Sequence, residues 1–184
     1  MITNYWMSPE TTSVNRLPML NIEHIEKISL DGTWRFQLLH SPLERLGKKW
    51  SSIPVPGLWT MQPESDVFFD KPIYTNVQMP FDEQPPFVPP ENPHGVYERD
   101  FDIPDSWKEK RIVLHIGGYE SVALILINGV EVGLTKDSRL AAEFDIHSLF
   151  DVDQILSESM SRNGLTPLLL KIKISGGMVA LRAQ

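Results

Sequence analysis

Ser121-Val122-Ala123-Leu124-Ile125-Leu126-Ile127-Asn128-Gly129-Val130-Glu131-Val132-Gly133-Leu134-Thr135 is the stretch on which the fold turns. Two apolar runs flank Asn128-Gly129. Asn-Gly in that setting is the strongest short-range hairpin signal, because a type I′ turn needs positive φ at both central residues. The stretch therefore reads as two antiparallel strands. On its N-terminal side, Arg111–Ile116 places Ile112, Leu114 and Ile116 on one face, the period-two pattern of a half-buried strand. Earlier still, Val96–Ile103 turns Tyr97, Arg99, Phe101 and Ile103 one way. Glu98, Asp100 and Asp102 turn the other way and read as a solvated face. On the C-terminal side, Leu168, Leu170, Ile172 and Ile174 are in phase across Leu168–Ile174.

The first third of the chain continues the pattern. Ile28, Leu30, Trp34, Phe36 and Leu38 alternate around Asp31-Gly32, as a bend between two strands or as one bulged strand. Ser51–Val55 is a short strand closed by Pro54 and Pro56. Ser41–Lys49 has room for one or two helical turns, weakened by Gly47, and residues 146–163 could hold a short helix. About seven or more short strands with frequent turn signals predict an all-β fold, an antiparallel β-sandwich or jelly roll. No strand alternates with a long helix, so a doubly wound or TIM-barrel layout is excluded within these residues.

Two segments stand apart. Residues 1–25 read as an extended arm, with Trp6 as a large apolar anchor and no core of their own. Residues 60–94 read as a long loop: Pro80, Pro85, Pro86, Pro89, Pro90 and Pro93 forbid helix and central strand there. The same loop carries Phe68, Phe69, Tyr74, Phe81 and Phe87. A disordered linker rarely holds so many aromatics, so the loop reads as ordered and functional.

Composition narrows the function. The 184 residues carry a net charge of −7, which argues against a general nucleic-acid binder. The apolar run Val122–Ile127 is far too short to cross a bilayer. The N-terminus has neither the basic nor the apolar region of a secretory signal. The absence of Cys removes disulfides, thiolate metal sites and Cys nucleophiles, and is compatible with a cytoplasmic location. Phosphate-binding, dinucleotide-binding, nucleophile-elbow and HExxH motifs are absent.

His24, His40, His94, His115 and His147 are scattered, so His115 reads as an ordinary strand residue and no metal site is expected. Asp137 and Arg139 read as a local ion pair after the hairpin. Trp34 is core by its phase; Trp59 and Tyr74 could each stack on a sugar or pack in a core. Asn76 lies in a loop, where it could meet a ligand or cap a turn.

Taken in order, the residues resemble the N-terminal, sugar-binding domain of the β-galactosidases of glycoside hydrolase family 2. The matching segments are Trp6–Pro9; Val14–Pro18; Leu30–Phe36; Val55–Gln62; Pro72-Ile73-Tyr74-Thr75-Asn76-Val77; Pro85–Pro89 with Glu91-Asn92-Pro93; Asn128-Gly129; and Lys136–Leu140 leading to Glu143-Phe144-Asp145. The resemblance implies a jelly-roll domain over 26–174, preceded by the arm 1–25 and followed by an altered or truncated tail, 175–184. The family's Trp-Ser-Asp-Gly and Asp-Gln-Asp segments have no counterpart in that tail, Ser175–Gln184. The strand Val122–Ile127 lacks the aromatics usual in the family.

The resemblance also implies a role. The domain lends one wall to the galactose pocket of an enzyme that hydrolyses terminal β-galactosides such as lactose. Asn76 and Val77 match the family's sugar-contacting loop; Tyr74 and Trp59 are added as aromatic candidates. The retaining mechanism uses two glutamates on a TIM barrel. This chain supplies neither, so it is expected to be inactive alone, with no catalytic residue, metal or cofactor of its own. Mg and Na are expected only in the intact enzyme. Expected partners are a β-galactoside and the remaining domains, with self-association possible through faces those domains cover, and no nucleic acid or membrane. Two alternatives stand beside this reading: a stand-alone carbohydrate-binding module, and a non-catalytic assembly or complementation fragment that acts through its arm.

Overall fold

Asn128 and Gly129 both take positive φ, 50° and 81°, and turn the chain from one strand into the next as their sequence requires. The computed structural model describes residue 5, residues 8–18, 26–41, 43–62, 92–107, 109–136 and 139–150, the strands 168–173 and 177–183, and positions 70, 82–84, 87 and 89. Among them the strands are β1 (Ser13–Val14), β2 (Lys27–Ser29), β3 (Gly32–Leu39), β4 (Ser51–Val55), β5 (His94–Phe101), β6 (Ile112–Tyr119), β7 (Ala123–Ile127), β8 (Val130–Thr135), β9 (Ala142–Asp145), β10 (Leu168–Lys173) and β11 (Gly177–Ala183).

All pair antiparallel, in two sheets. One has seven strands in the order β1-β8-β7-β10-β5-β3-β4; the other has four, β2-β11-β6-β9. The all-β sandwich expected from the sequence is present.

The core lies between the sheets. Trp34 and Phe36 of β3, Ile53 of β4, Tyr97 and Phe101 of β5, and Ala123, Ile125 and Ile127 of β7 face Ile112, Leu114 and Ile116 of β6 and Phe144 of β9. Fully burying one such side chain contributes about 1.5–3 kcal/mol. The Phe36 ring lies 4.8 Å from Tyr97 and 6.1 Å from Trp59, centroid to centroid. On β7 the alternation leaves Leu124 and Leu126 half-buried on the outer face. A polar contact also links the sheets: Tyr119 Oη and Thr135 Oγ1 are 2.6 Å apart in a buried hydrogen bond.

The long edges of the sandwich close differently. At one, β2 belongs to the small sheet and β3 to the large one, and the chain crosses between them at Leu30-Asp31. Of the two readings of this stretch, the bend between two strands is the one observed. Trp34 Nε1 donates to Leu30 O at 2.7 Å, buried, and Arg99 Nη1 donates to Asp31 O at 3.1 Å.

At the opposite edge the arm does the joining. β1 pairs with β8, Ser13 opposite Thr135. Asn15 Nδ2 donates to Val132 O, Arg16 bridges to Phe144 of β9, and Leu17 N donates to Glu143 O. Gly133 permits this approach, since a Cβ there would sit 2.6 Å from the Phe144 ring and 2.7 Å from Val14 O. The expectation that the arm packs on something is met by its own domain over residues 8–17. Trp6 lies outside the described residues.

Several expectations are corrected. Within the C-terminal segment 175–184, whose conformation the sequence leaves open, Gly177–Ala183 is an inner strand of the four-stranded sheet, paired to β2 on one side and β6 on the other. Glu98 is not solvated. It is 5% exposed and forms a 3.0 Å ion pair with Arg35, its cross-strand neighbour. Arg35 in turn lies over the Trp50 ring.

Ser41–Lys49 forms no helix among its described residues. It folds against the outer face of the large sheet, where Gln37 donates to Gly47 O and accepts from Gly47 N. This helps explain why Gln37 is buried on the face opposite the core. Arg139 pairs with Glu120, Nη2 to Oε1 at 3.0 Å and Nε to Oε2 at 3.2 Å. That pairing holds the Arg139 guanidinium above its usual range. Asp137 and the segment 151–163 lie outside the described residues.

Candidate functional site

The strand order explains the long loop. β4 and β5 flank β3 and both run antiparallel to it, so they are parallel to each other. β4 ends with Val55 opposite Gly32; β5 begins with His94 opposite Leu39, at the other end of β3. The chain thus leaves β4 at one end of β3 and enters β5 at the other. A parallel connection needs a dozen residues or more, so this one has slack to build a surface.

Its roots are well defined. At the start, Gly57 sits where a Cβ would be 2.6 Å from Pro54 O. A 3₁₀ turn, Trp59–Met61, follows, with Met61 N donating to Leu58 O. At the far end Asn92 N donates to His40 O at 3.0 Å, tying the return to the end of β3. Between them Phe87 N donates to Gln84 O. Tyr74, Asn76 and Val77 lie on this loop but outside the described residues.

Trp59 is 7% exposed and belongs to the core, packed toward Phe36. Its indole face is therefore spent on packing, as the Trp34 phase argument also expects for β3. Among the described residues, Trp59 Nε1 is buried with no hydrogen-bond partner. Leaving such a donor unmet costs about 1–3 kcal/mol. It marks the root of the loop as a place where an acceptor would be stabilising.

Elsewhere, His115, Glu143, Glu26 and Asp145 make structural contacts. His115 is half-buried on β6, with Nδ1 2.9 Å from Glu143 Oε1 on β9. Glu26 pairs with Lys110, which holds its carboxyl below the usual range. Burial tends to raise the Asp145 carboxyl, but Arg111 and the His147 N–H outweigh it and hold it below its usual value. No group of three or more His, Asp or Glu side chains gathers among the described residues. No helix among them is long and apolar enough to cross a membrane.

Sequence reasoning missed Glu98 and Lys136. Glu98 could have been found by pairing β3 with β5, since Arg35 then stands opposite it. Lys136 stands in the family-matching segment Lys136–Leu140, but nothing in the sequence marked its side chain as an anchor. Its role appears only when Tyr5 and residues 8–12 are placed beside it.

The pattern of the glycosyl hydrolases family 2 sugar binding domain matches residues 27–156. The chain belongs to this family. A beta-galactosidase of Psychromonas ingrahamii is 43% identical over 126 residues, covering 64% of this chain and 12% of that protein. A beta-galactosidase of Lactococcus lactis is 40% identical over 155 residues, 78% of this chain and 15% of that protein. The chain thus spans between about an eighth and a seventh of the length of these curated relatives. A solved beta-glucuronidase of Faecalibacterium prausnitzii superposes with a TM-score of 0.57 at 20% identity, over 86% of this chain and 22% of that one. The latter likeness is one of fold.

Proposed function

We propose that this sugar-binding domain forms one wall of the galactoside pocket in a cytoplasmic β-galactosidase. The carrying observation is the family match together with about 40% identity to proteins named beta-galactosidase. The crossing loop 56–93 supplies the wall, and Asn76 and Val77, with Tyr74 beside them, are the residues we assign to the sugar. A loop held at both roots by a sandwich suits this task, because it presents polar groups without the sheet having to move. Trp59 is assigned to the loop's foundation and offers its buried N–H there.

Hydrolysis itself needs an acid/base and a nucleophilic carboxylate flanking the bond. We assign both to another part of the enzyme and none to this domain. The Mg and Na that the resemblance places in the intact enzyme have no cluster of ligands among the described residues, so no step is assigned to a metal here. Leu58, Met61 and Phe87 are exposed at the loop. We assign that surface to contact with the rest of the enzyme, or to self-association when the domain stands alone.

The test has two parts. In the full-length enzyme, Asn76→Ala is expected to lower kcat/KM on a chromogenic β-galactoside about tenfold or more, the value of a lost substrate hydrogen bond. Unchanged kcat/KM overturns the assignment. The chain alone is expected to show no hydrolysis of the same substrate and no amide shifts with millimolar galactose. Shifts clustered at residues 72–77 would establish a self-sufficient binding module instead.

A further inference from the structure

The arm is tied to the sandwich by something other than strand pairing. Tyr5 O accepts from Ser8 N at 3.2 Å, and Ser8 O accepts from Thr11 N at 3.3 Å. Two successive turns thus bring carbonyls of residues three apart to one side. The Lys136 ammonium donates to both, to Tyr5 O at 2.7 Å and to Ser8 O. Its backbone N–H donates to Thr12 O at 2.9 Å. Ser8 Oγ donates to Glu10 Oε2, and the Glu10 carboxylate acts on the same ammonium. Among the described residues, the polar contacts that tie residues 5–12 to the rest of the domain all run to Lys136. The ladder that follows, β1 with β8, is two residues long, and a ladder of that length is marginal in water without other support.

We propose that Lys136 is a positioning residue that anchors the N-terminal arm: its charge, gripped by the Tyr5 and Ser8 carbonyls, fixes Tyr5 and residues 8–12 along the edge of the large sheet. A cation held by main-chain oxygens makes stronger hydrogen bonds than a neutral donor would. Burial pushes the Lys136 ammonium below its usual range, and Glu10 offsets part of that. The arm is thereby engaged by its own domain.

Hydrogen exchange read by mass spectrometry tests the proposal on the whole chain, comparing the native protein with Lys136→Met and Lys136→Arg. In Lys136→Met, amides of residues 8–14 are expected to exchange about ten- to a hundredfold faster, while β3 and β5 keep their protection. Lys136→Arg, which keeps the charge and several donors, is expected to retain most of the arm's protection. Unchanged exchange of residues 8–14 in Lys136→Met overturns the proposal. So does equal loss in the Arg variant, which would make shape rather than charge the anchor. Loosening of β3 and β5 to the same degree also overturns it, since Lys136 would then support the fold in general.

Discussion

At one edge of the sandwich the chain itself turns the corner, from β2 into β3 through Leu30 and Asp31. At the other edge the residues that join the sheets come from far away in sequence. Asn15 reaches Val132 across 117 positions, Arg16 reaches Ala141 across 125, and Lys136 reaches Tyr5 across 131. The first edge is closed by covalent continuity and a buried indole. The second is closed by polar contacts between segments more than a hundred positions apart. Ordering a distant segment costs backbone entropy that a local corner has already met. The arm edge should therefore be the softer of the two, and substitutions can show it.

The largest effect is expected at the corner. Trp34→Ala removes a buried ring and its bond to Leu30 O. A loss of about 3–5 kcal/mol is expected from urea unfolding, in line with large-to-small core substitutions. A loss under about 1 kcal/mol would show that the corner holds without it. Next comes Gly133→Ala, which forces a methyl against Phe144 and Val14 O where the arm meets β8 and β9. Overpacking of this kind costs about 1–3 kcal/mol, and here it should loosen the arm before the corner.

Asn15→Ala is smaller. It removes the bond to Val132 O at a residue with φ of 57°, a conformation Asn tolerates better than Ala. About 1 kcal/mol is expected, with residues 13–17 exchanging faster than β3.

The smallest effect is a pH dependence at Arg111–Asp145. The folded carboxyl titrates below its ordinary value of about 3.9. Its stabilisation is thus complete above about pH 4 and is lost as pH falls through the lower folded value. Because the pair is largely exposed, less than about 1 kcal/mol is expected. The stability gap between the native protein and Asp145→Asn should shrink from about pH 6 to about pH 3. A gap that stays constant would show that the pair contributes nothing.

The same contrast governs what could be read in advance. Alternation in β3 and Asn128-Gly129 are local signals, and both predicted the observed elements. Pairing order is not local. Nothing in Leu168–Lys173 says that it lies between β5 and β7. Glu98 looks solvated until Arg35 stands opposite it and Trp50 covers Arg35. Gly177–Ala183, poor in strand signals at its start, becomes an inner strand because β2 and β6 leave a gap of one strand. For the site, Asn76 and Val77 rest on the family motif alone and lie outside the described residues, while Trp59 was decided by packing that only the fold shows.

The position of the last two strands has a consequence for synthesis. β10 separates β5 from β7, and β11 separates β2 from β6. A chain leaving the ribosome from its N-terminus can fold its hairpin early, but each sheet stays in two pieces until residues 168–183 emerge. Until then β2, β5, β6 and β7 each present a bare edge, a template for pairing with a neighbouring nascent chain. The domain's exposure to misassembly is therefore greatest just before it is finished, and a pause in translation ahead of residue 168 would prolong that interval.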